Sequence, residues 1–252
     1  TNGLLYKPTE VKMKENIVTA VDDALLLLML LGEKNNLGLS ELARLSGMNK
    51  SKVYRLLCTL ENRHFVQKNE NPVTYHLGHQ LLSLGNCARQ QINYIQVAEV
   101  EAEQLRQRFD ENIQMRIRDN GEILQVLHKP SGQSLQVRSE AGNRRPLGSG
   151  ASGRVLLAYS PKDVQAHFIE KNPSIEKSIA TIRSQGFSIT RGELTAGIGA
   201  IAAPIFSQHG ECIASLSISL PLSRFSDEKE QDMTEQLLLS ALRISRQLGY
   251  DS

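Results

Sequence analysis

Between Leu39 and Leu60 the chain reads LSELARLSGMNKSKVYRLLCTL, and its apolar positions recur at helical spacing in two short runs. Leu42 and Ala43 supply the inner face of a first helix, Gly47 permits a tight turn and Met48 plugs the corner; Val53, Leu56, Leu57 and Leu60 form the stripe of a second helix. Ser40 and Asn49 stand before these runs as candidate N-caps, whose side-chain oxygens accept hydrogen bonds from unpaired helix-start amides. Upstream, the run ALLLLMLL from Ala24 to Leu31 is far shorter than the roughly 20 residues that span a bilayer, and Asp22, Asp23 and Glu33 flank it. It is predicted to be a buried core helix. Downstream, Phe65 to Lys68 and Val73 to Leu77 read as strands around the turn-forming Asn69, Glu70, Asn71 and Pro72. Helices and a two-stranded wing make a winged helix-turn-helix over residues 16–78.

From about Gly78 to Phe109 the period stays helical, with Leu81, Leu82 and Leu84 in one piece and Ile95, Val97, Val100 and Leu105 in the next. A helical connector is expected over 79–110. The period then switches to two: Ile113, Met115 and Ile117 alternate, residues 119–122 (DNGE) turn, and Ile123 to His128 return. Helices are expected near 152–185, strands at Ile198–Phe206 and Cys212–Leu220, and a last amphipathic helix from Asp227 to Leu248 capped by Ser226. The fold class is α+β, with helices packed on an antiparallel sheet over 111–252. The first dozen or so residues, of mixed polarity and with Pro8, read as a loosely ordered arm over 1–15.

A chain of 252 residues, 40% hydrophobic and 22% charged, has ordinary globular composition and room for two modest domains. No basic stretch followed by an apolar run and a small-residue cleavage site opens it, so no secretory signal is read. Cys58, Cys87 and Cys212 lie far apart with no CxxC pair, which argues against a disulfide framework or thiolate metal site and for a reducing cytoplasm.

Charge changes the picture most. Net charge is only +2, yet residues 44–68 carry six cations (Arg44, Lys50, Lys52, Arg55, Arg63, Lys68) against the single acid Glu61. A plain surface hairpin has no use for such a patch, whereas a polyanion rewards it. The outer face of the second helix, Lys50, Ser51, Lys52, Tyr54 and Arg55, carries side chains suited to phosphates and base edges, and Lys68 is expected near the wing tip beside a phosphate. Double-stranded operator DNA is the expected partner. One winged domain offers a short contact surface, so a homodimer or tetramer on a pseudo-palindromic site is expected.

In the second domain, Ser215, Ser217 and Ser219 occupy one face of a strand and Leu216, Ile218 and Leu220 the other. A solvated serine face is the plain alternative. Against it stand LGSGASGR, Leu147 to Arg154, which runs into a helix whose first amides suit an anion, and AGIGAIAAP, Ala196 to Pro204, whose small residues leave room for a cavity. Together they predict a pocket for a small organic acid. No Walker loop and no GxGxxG unit is present, so no nucleotide cofactor is expected. No GxSxG elbow or SxxK motif points to a catalytic serine. An enzyme fused to a nucleic-acid module, using Ser152, Ser217 or Thr190, lacks a base placed by sequence. A DNA-binding protein without effector would have a filled sheet face beside Ser217. His76 and His79 lack a third metal ligand, and His128, His167 and His209 are isolated.

These stretches, with TYHLG closing the wing, RRPLGSGASGRVLLA, SQGFSITRGE, GIGAIAAPIF and ASLSISLP followed by RFSDE, resemble the IclR family of bacterial transcription regulators over about residues 18–249. The resemblance implies an N-terminal winged helix, a GAF/profilin-like effector domain, and homodimers or dimers of dimers. It also implies that the small-acid pocket falls on Ala151, Ser152, Thr190, Ala200, Ser217 and Ser219. The chain departs from the family pattern LHxxAxGK, having Leu147, Gly148, Gly153 and Arg154 there, and it carries Thr190 where a carboxylate is common.

Overall fold

The computed structural model describes residues 17–91, 93–134 and 141–251, so the arm expected over 1–15 lies outside the described residues. The chain divides into two compact units, Thr1–Gln91 and Ile92–Ser252.

In the first unit, α1 (Thr19–Glu33), α2 (Leu39–Ser46) and α3 (Lys50–Asn62) precede the hairpin β1 (Val66–Glu70) and β2 (Val73–Leu77), and α4 (His79–Gln91) follows. Gly47 ends α2 in the left-handed region at φ 70°, which a Cβ would strain. Asn49 is extended, and its side chain accepts the Lys52 amide at 2.9 Å. Asn49→Ala is expected to destabilise this unit by about 1 kcal/mol, read as a lower denaturation midpoint, because the α3 start loses its acceptor. Ser40 is not a cap. Leu39 packs against the core and is drawn into the helix, so Gly38 takes the cap position without a side-chain bond and Ser40 lies inside the first turn. Leu27, Leu31, Leu37, Leu42, Val53 and Leu57 are fully buried, with Val66 and Tyr75 beside them.

The expectation of a buried α1 needs correction. Leu27 and Leu31 are inside, but Val21, Leu25 and Met29, at four-residue spacing, are each more than half exposed. A helix covered on one side buries one stripe, and an eight-residue apolar run is wider than that stripe.

The second unit opens with α5 (Asn93–Phe109) and builds a six-stranded antiparallel sheet from β3 (Asn112–Asp119), β4 (Glu122–Lys129), β5 (Arg144–Pro146), β6 (Ser188–Arg191), β7 (Ile198–Phe206) and β8 (Cys212–Pro221). The strand order is β5-β4-β3-β8-β7-β6. Asn120 and Gly121, both at positive φ, make the two-residue β3–β4 turn. Between β5 and β6 run α6 (Gly150–Ala158), α7 (Lys162–Lys171) and α8 (Ser174–Gln185); α9 (Asp227–Gln247), capped by Ser226, closes the chain. One sheet face packs on α5 and α9 through Ile113, Met115, Leu216, Ile218, Leu237 and Ile244; the other meets α6. The buried stripe of α5 is Ile95, Ala98, Glu101, Ala102 and Leu105, and Val100, expected there, is 62% exposed.

Candidate functional site

On α3, Lys50, Ser51, Tyr54 and Arg55 are exposed, while Val53 and Leu57 anchor the opposite side in the core. Residues 51, 54 and 55 share one face at the i, i+3, i+4 spacing of a helix. Lys52 differs: its Nζ lies 2.5 Å from Asp23 Oδ2 of α1, so its charge already serves to tie α3 to α1. Lys68 sits opposite Tyr75 at the third of five wing pairs rather than at the tip, because β1 runs on to Glu70. Its Nζ donates to Glu70 at 3.2 Å, and that hydrogen bond raises its pKa. An exposed pair of this kind exchanges its carboxylate for a phosphate at little cost.

His76 and His79 do not converge on a metal. Gln67 stands between them, its Oε1 accepting from His76 Nε2 at 3.1 Å and its Nε2 donating to His79 Nδ1 at 3.3 Å, while His64 stacks on the His79 ring. Among the described residues no group of three His, Cys, Asp or Glu forms a metal site. The three cysteines are free thiols, and burial pushes Cys212 up to about 12.

The second unit holds a cavity with about 530 Å³ of empty space, its open mouth included. Strand register builds its floor. Ser217 pairs with Ala202 and Gln114, Ser219 with Ala200 and Asn112, and Thr190 with Ala200, so one sheet face carries a continuous polar row flanked by alanines. That face is covered rather than solvated: Ser215, Ser217 and Ser219 are all less than a tenth exposed. The Ser217 hydroxyl donates to the Gln114 carbonyl at 3.3 Å.

α6 supplies the cavity's other wall. The Gly153 amide makes the first helical bond, to the Ser149 carbonyl, so the amides of Gly150, Ala151 and Ser152 precede the ladder. Gly150 has φ 62°, and a Cβ on Gly153 would meet the Gly148 backbone at 3.0 Å. Glycine here lets the loop close tightly on the helix start. All six residues expected from the resemblance, Ala151, Ser152, Thr190, Ala200, Ser217 and Ser219, line this one cavity.

Gln114, Arg116 and Arg145 line it too, and the sequence reading passed over them. For two of them the signal is in the sequence: Asn112, Gln114 and Arg116 alternate with Ile113, Met115 and Ile117 and so share the strand's other face. Arg116 Nε and Nη2 both reach Gln125 Oε1, at 3.3 and 2.8 Å, and Nη2 reaches Gln114 Oε1 at 3.2 Å. A β-bulge makes that possible. Met115 pairs with Leu127 but Arg116 pairs with Gln125, skipping Val126, so Gln125 turns to the Arg116 face while Leu127 stays in the α5–α9 core.

Comparison with known proteins agrees with this architecture. The profile of the IclR helix-turn-helix domain matches residues 20–70, and that of the bacterial transcriptional regulator IclR C-terminal domain matches residues 87–246. The chain is 33% identical over 237 residues to the HTH-type transcriptional regulator KdgR of Escherichia coli (strain K12), covering 89% of this chain and 90% of that protein. Its fold is similar to the crystal structure of an IclR transcriptional regulator from Alicyclobacillus acidocaldarius, with TM-score 0.85 and 24% identity over 93% of this chain and 100% of that one. It is also similar to that of an IclR homologue from Microbacterium hydrocarbonoxydans complexed with 4-hydroxybenzoate, with TM-score 0.80 and 20% identity over 91% of this chain and 98% of that one. The winged helix-turn-helix, the α6-covered antiparallel sheet and these matches across both units show that the chain belongs to the IclR family of bacterial transcriptional regulators, DNA-binding proteins rather than enzymes.

Proposed function

We propose that this chain is a ligand-responsive regulator that binds operator DNA as a homodimer and senses a small organic acid in the cavity of its second unit. The observation that carries the reading is convergence: Ala151, Ser152, Thr190, Ala200, Ser217 and Ser219, from four separate stretches of chain, share one cavity of amides and hydroxyls. A hollow polar face beside Ser217 is what a regulator without effector would lack. An acyl- or sugar-transfer enzyme needs a base beside its hydroxyl, and no histidine or carboxylate lines this cavity among the described residues. The IclR homologue bound to 4-hydroxybenzoate, itself an organic acid, supports the same class of ligand. In this reading residues 16–78 read DNA, 79–110 connect, and 111–252 sense and oligomerise in the cytoplasm.

DNA contact is assigned to Lys50, Ser51, Tyr54 and Arg55 of α3, with Lys68 on a phosphate and Lys52 joining only by exchanging Asp23 for one. The exposed apolar stripe of α1 gives a second copy a surface to cover. Arg55→Ala is expected to cost about 1 to 3 kcal/mol and relax discrimination if it reads a base, or to weaken all sequences alike and lower the salt slope by about 1 if it holds a phosphate. Gel-shift titrations at several salt concentrations separate the two outcomes. Unchanged affinity and salt dependence in both Arg55→Ala and Lys50→Ala would remove α3 as the reader.

A further inference from the structure

Two arginines enter the cavity wall with no acid paired to them among the described residues. Arg116 is 6% exposed, and its hydrogen-bond partners among the described residues, Gln114 and Gln125, are neutral amides. Arg145 sits on the edge strand β5 opposite Ile123, and its Nε is buried without a hydrogen-bond partner among the described residues. Its neighbour Arg144 shows the contrast, pairing with both Asp119 and Glu122. Among the described residues that line the cavity, none is an aspartate or glutamate. Burial, and then the charge of Arg145, push Arg116 down to about 10, so it stays charged at neutral pH. A buried cation left without a counter-charge is costly, and a bound anion removes that cost.

The remaining lining sorts the ligand further. Six side chains are hydroxyls (Ser149, Ser152, Thr190, Thr195, Ser217 and Ser219), set beside the apolar Leu194, Ile198, Ala151 and Ala200. A hydroxylated chain offers these hydroxyls hydrogen-bond partners along its length that an aromatic ring lacks. The α6 amides form a second anion-binding end, distinct from the guanidinium pair.

We infer that the effector is a small dianionic hydroxy acid, with one carboxylate on the α6 amides and the Ser217 and Ser219 hydroxyls and a second anionic group between Arg116 and Arg145. This rests on the cavity being the effector site and adds the ligand's charge and polarity. Arg116 and Arg145 are then the residues that select it.

Calorimetric titration of the full chain with tartrate, glucarate and gluconate tests the assignment, because glucarate and gluconate share a six-carbon hydroxylated chain and differ by one terminal carboxylate. Glucarate or tartrate is expected to bind at least about tenfold more tightly than gluconate, which corresponds to one missing charge-assisted hydrogen-bonded pair. In Arg145→Gln that preference should fall to about one, and in Arg145→Lys it should be partly kept. Equal binding of glucarate and gluconate by the wild type, a preference untouched by Arg145→Gln, or no binding of either dianion would overturn the inference. Monocarboxylates that bind and alter operator affinity would overturn the dianion while leaving the effector site standing. A cavity that takes no acid of either charge, with a Ser217→Ala chain responding like the wild type to whatever ligand moves its operator affinity, would overturn both.

Discussion

Arg224→Ala is expected to destabilise the second unit by about 3 kcal/mol, at the lower end of the range for breaking a buried ion pair, since the arginine is partly exposed. Glu111, just before β3, is 3% exposed, and Arg224 in the turn after β8 grips it through Nε and Nη2, each at 2.6 Å. The Glu111 hydrogen bond outweighs burial and raises the Arg224 pKa. Removing the arginine leaves a carboxylate inside the protein with its main counter-charge gone, and that desolvation cost sets the size of the effect. A loss of this size lowers the melting temperature by roughly 6 to 12 °C in a unit of this size. Hydrogen exchange at β3 and β8 amides would report it locally. Glu111→Gln in the Arg224→Ala background should recover part of the loss, because a buried amide is cheaper than a buried charge. Wild-type melting of Arg224→Ala would show that the pair contributes nothing.

The second large effect is functional. In a Ser217→Ala, Ser219→Ala chain, the ratio of operator affinities with and without the acid that moves the wild type should fall to about one. Typical coupling free energies of 1 to 3 kcal/mol correspond to roughly 5- to 150-fold in that ratio, so the loss is large against the error of a titration. Both serines are buried on the cavity floor, and alanine nearly preserves their volume, so the substitution removes hydroxyls with little repacking. A melting curve close to that of the wild type checks that the fold is kept. A double variant that still responds fully would place the effector site elsewhere.

How far the chain could be read in advance depended on the range of the interaction. The longer sheet strands were legible because Ile113, Met115 and Ile117, and Leu216, Ile218 and Leu220, alternate over enough residues to establish a period of two. β5 and β6, of three and four residues, were not read from periodicity, because so few positions establish none. They stand at the two edges of the sheet, and they carry Arg145 and Thr190 into the cavity. The wing is legible from its turn residues, but the position of Lys68 within it is not, because strand ends are set by pairing, which continues here past Lys68 to Glu70.

By itself the sequence determined the local geometry: the left-handed turn at Gly47, the Asn49 cap, the Asn120–Gly121 hairpin, and which face of each long helix or strand is apolar. Each depends on φ preference, a nearby hydrogen bond or a repeat within a few residues, so the information lies within that window. Tertiary structure alone decided that Lys52 is held by Asp23, that Val126 bulges so Gln125 can meet Arg116, and that Arg145 turns inward while Arg144 pairs with Asp119 and Glu122. Those outcomes depend on strand register and on side chains up to 29 residues apart, where burial and the demand to satisfy each buried polar group select one arrangement from many that the local pattern permits equally.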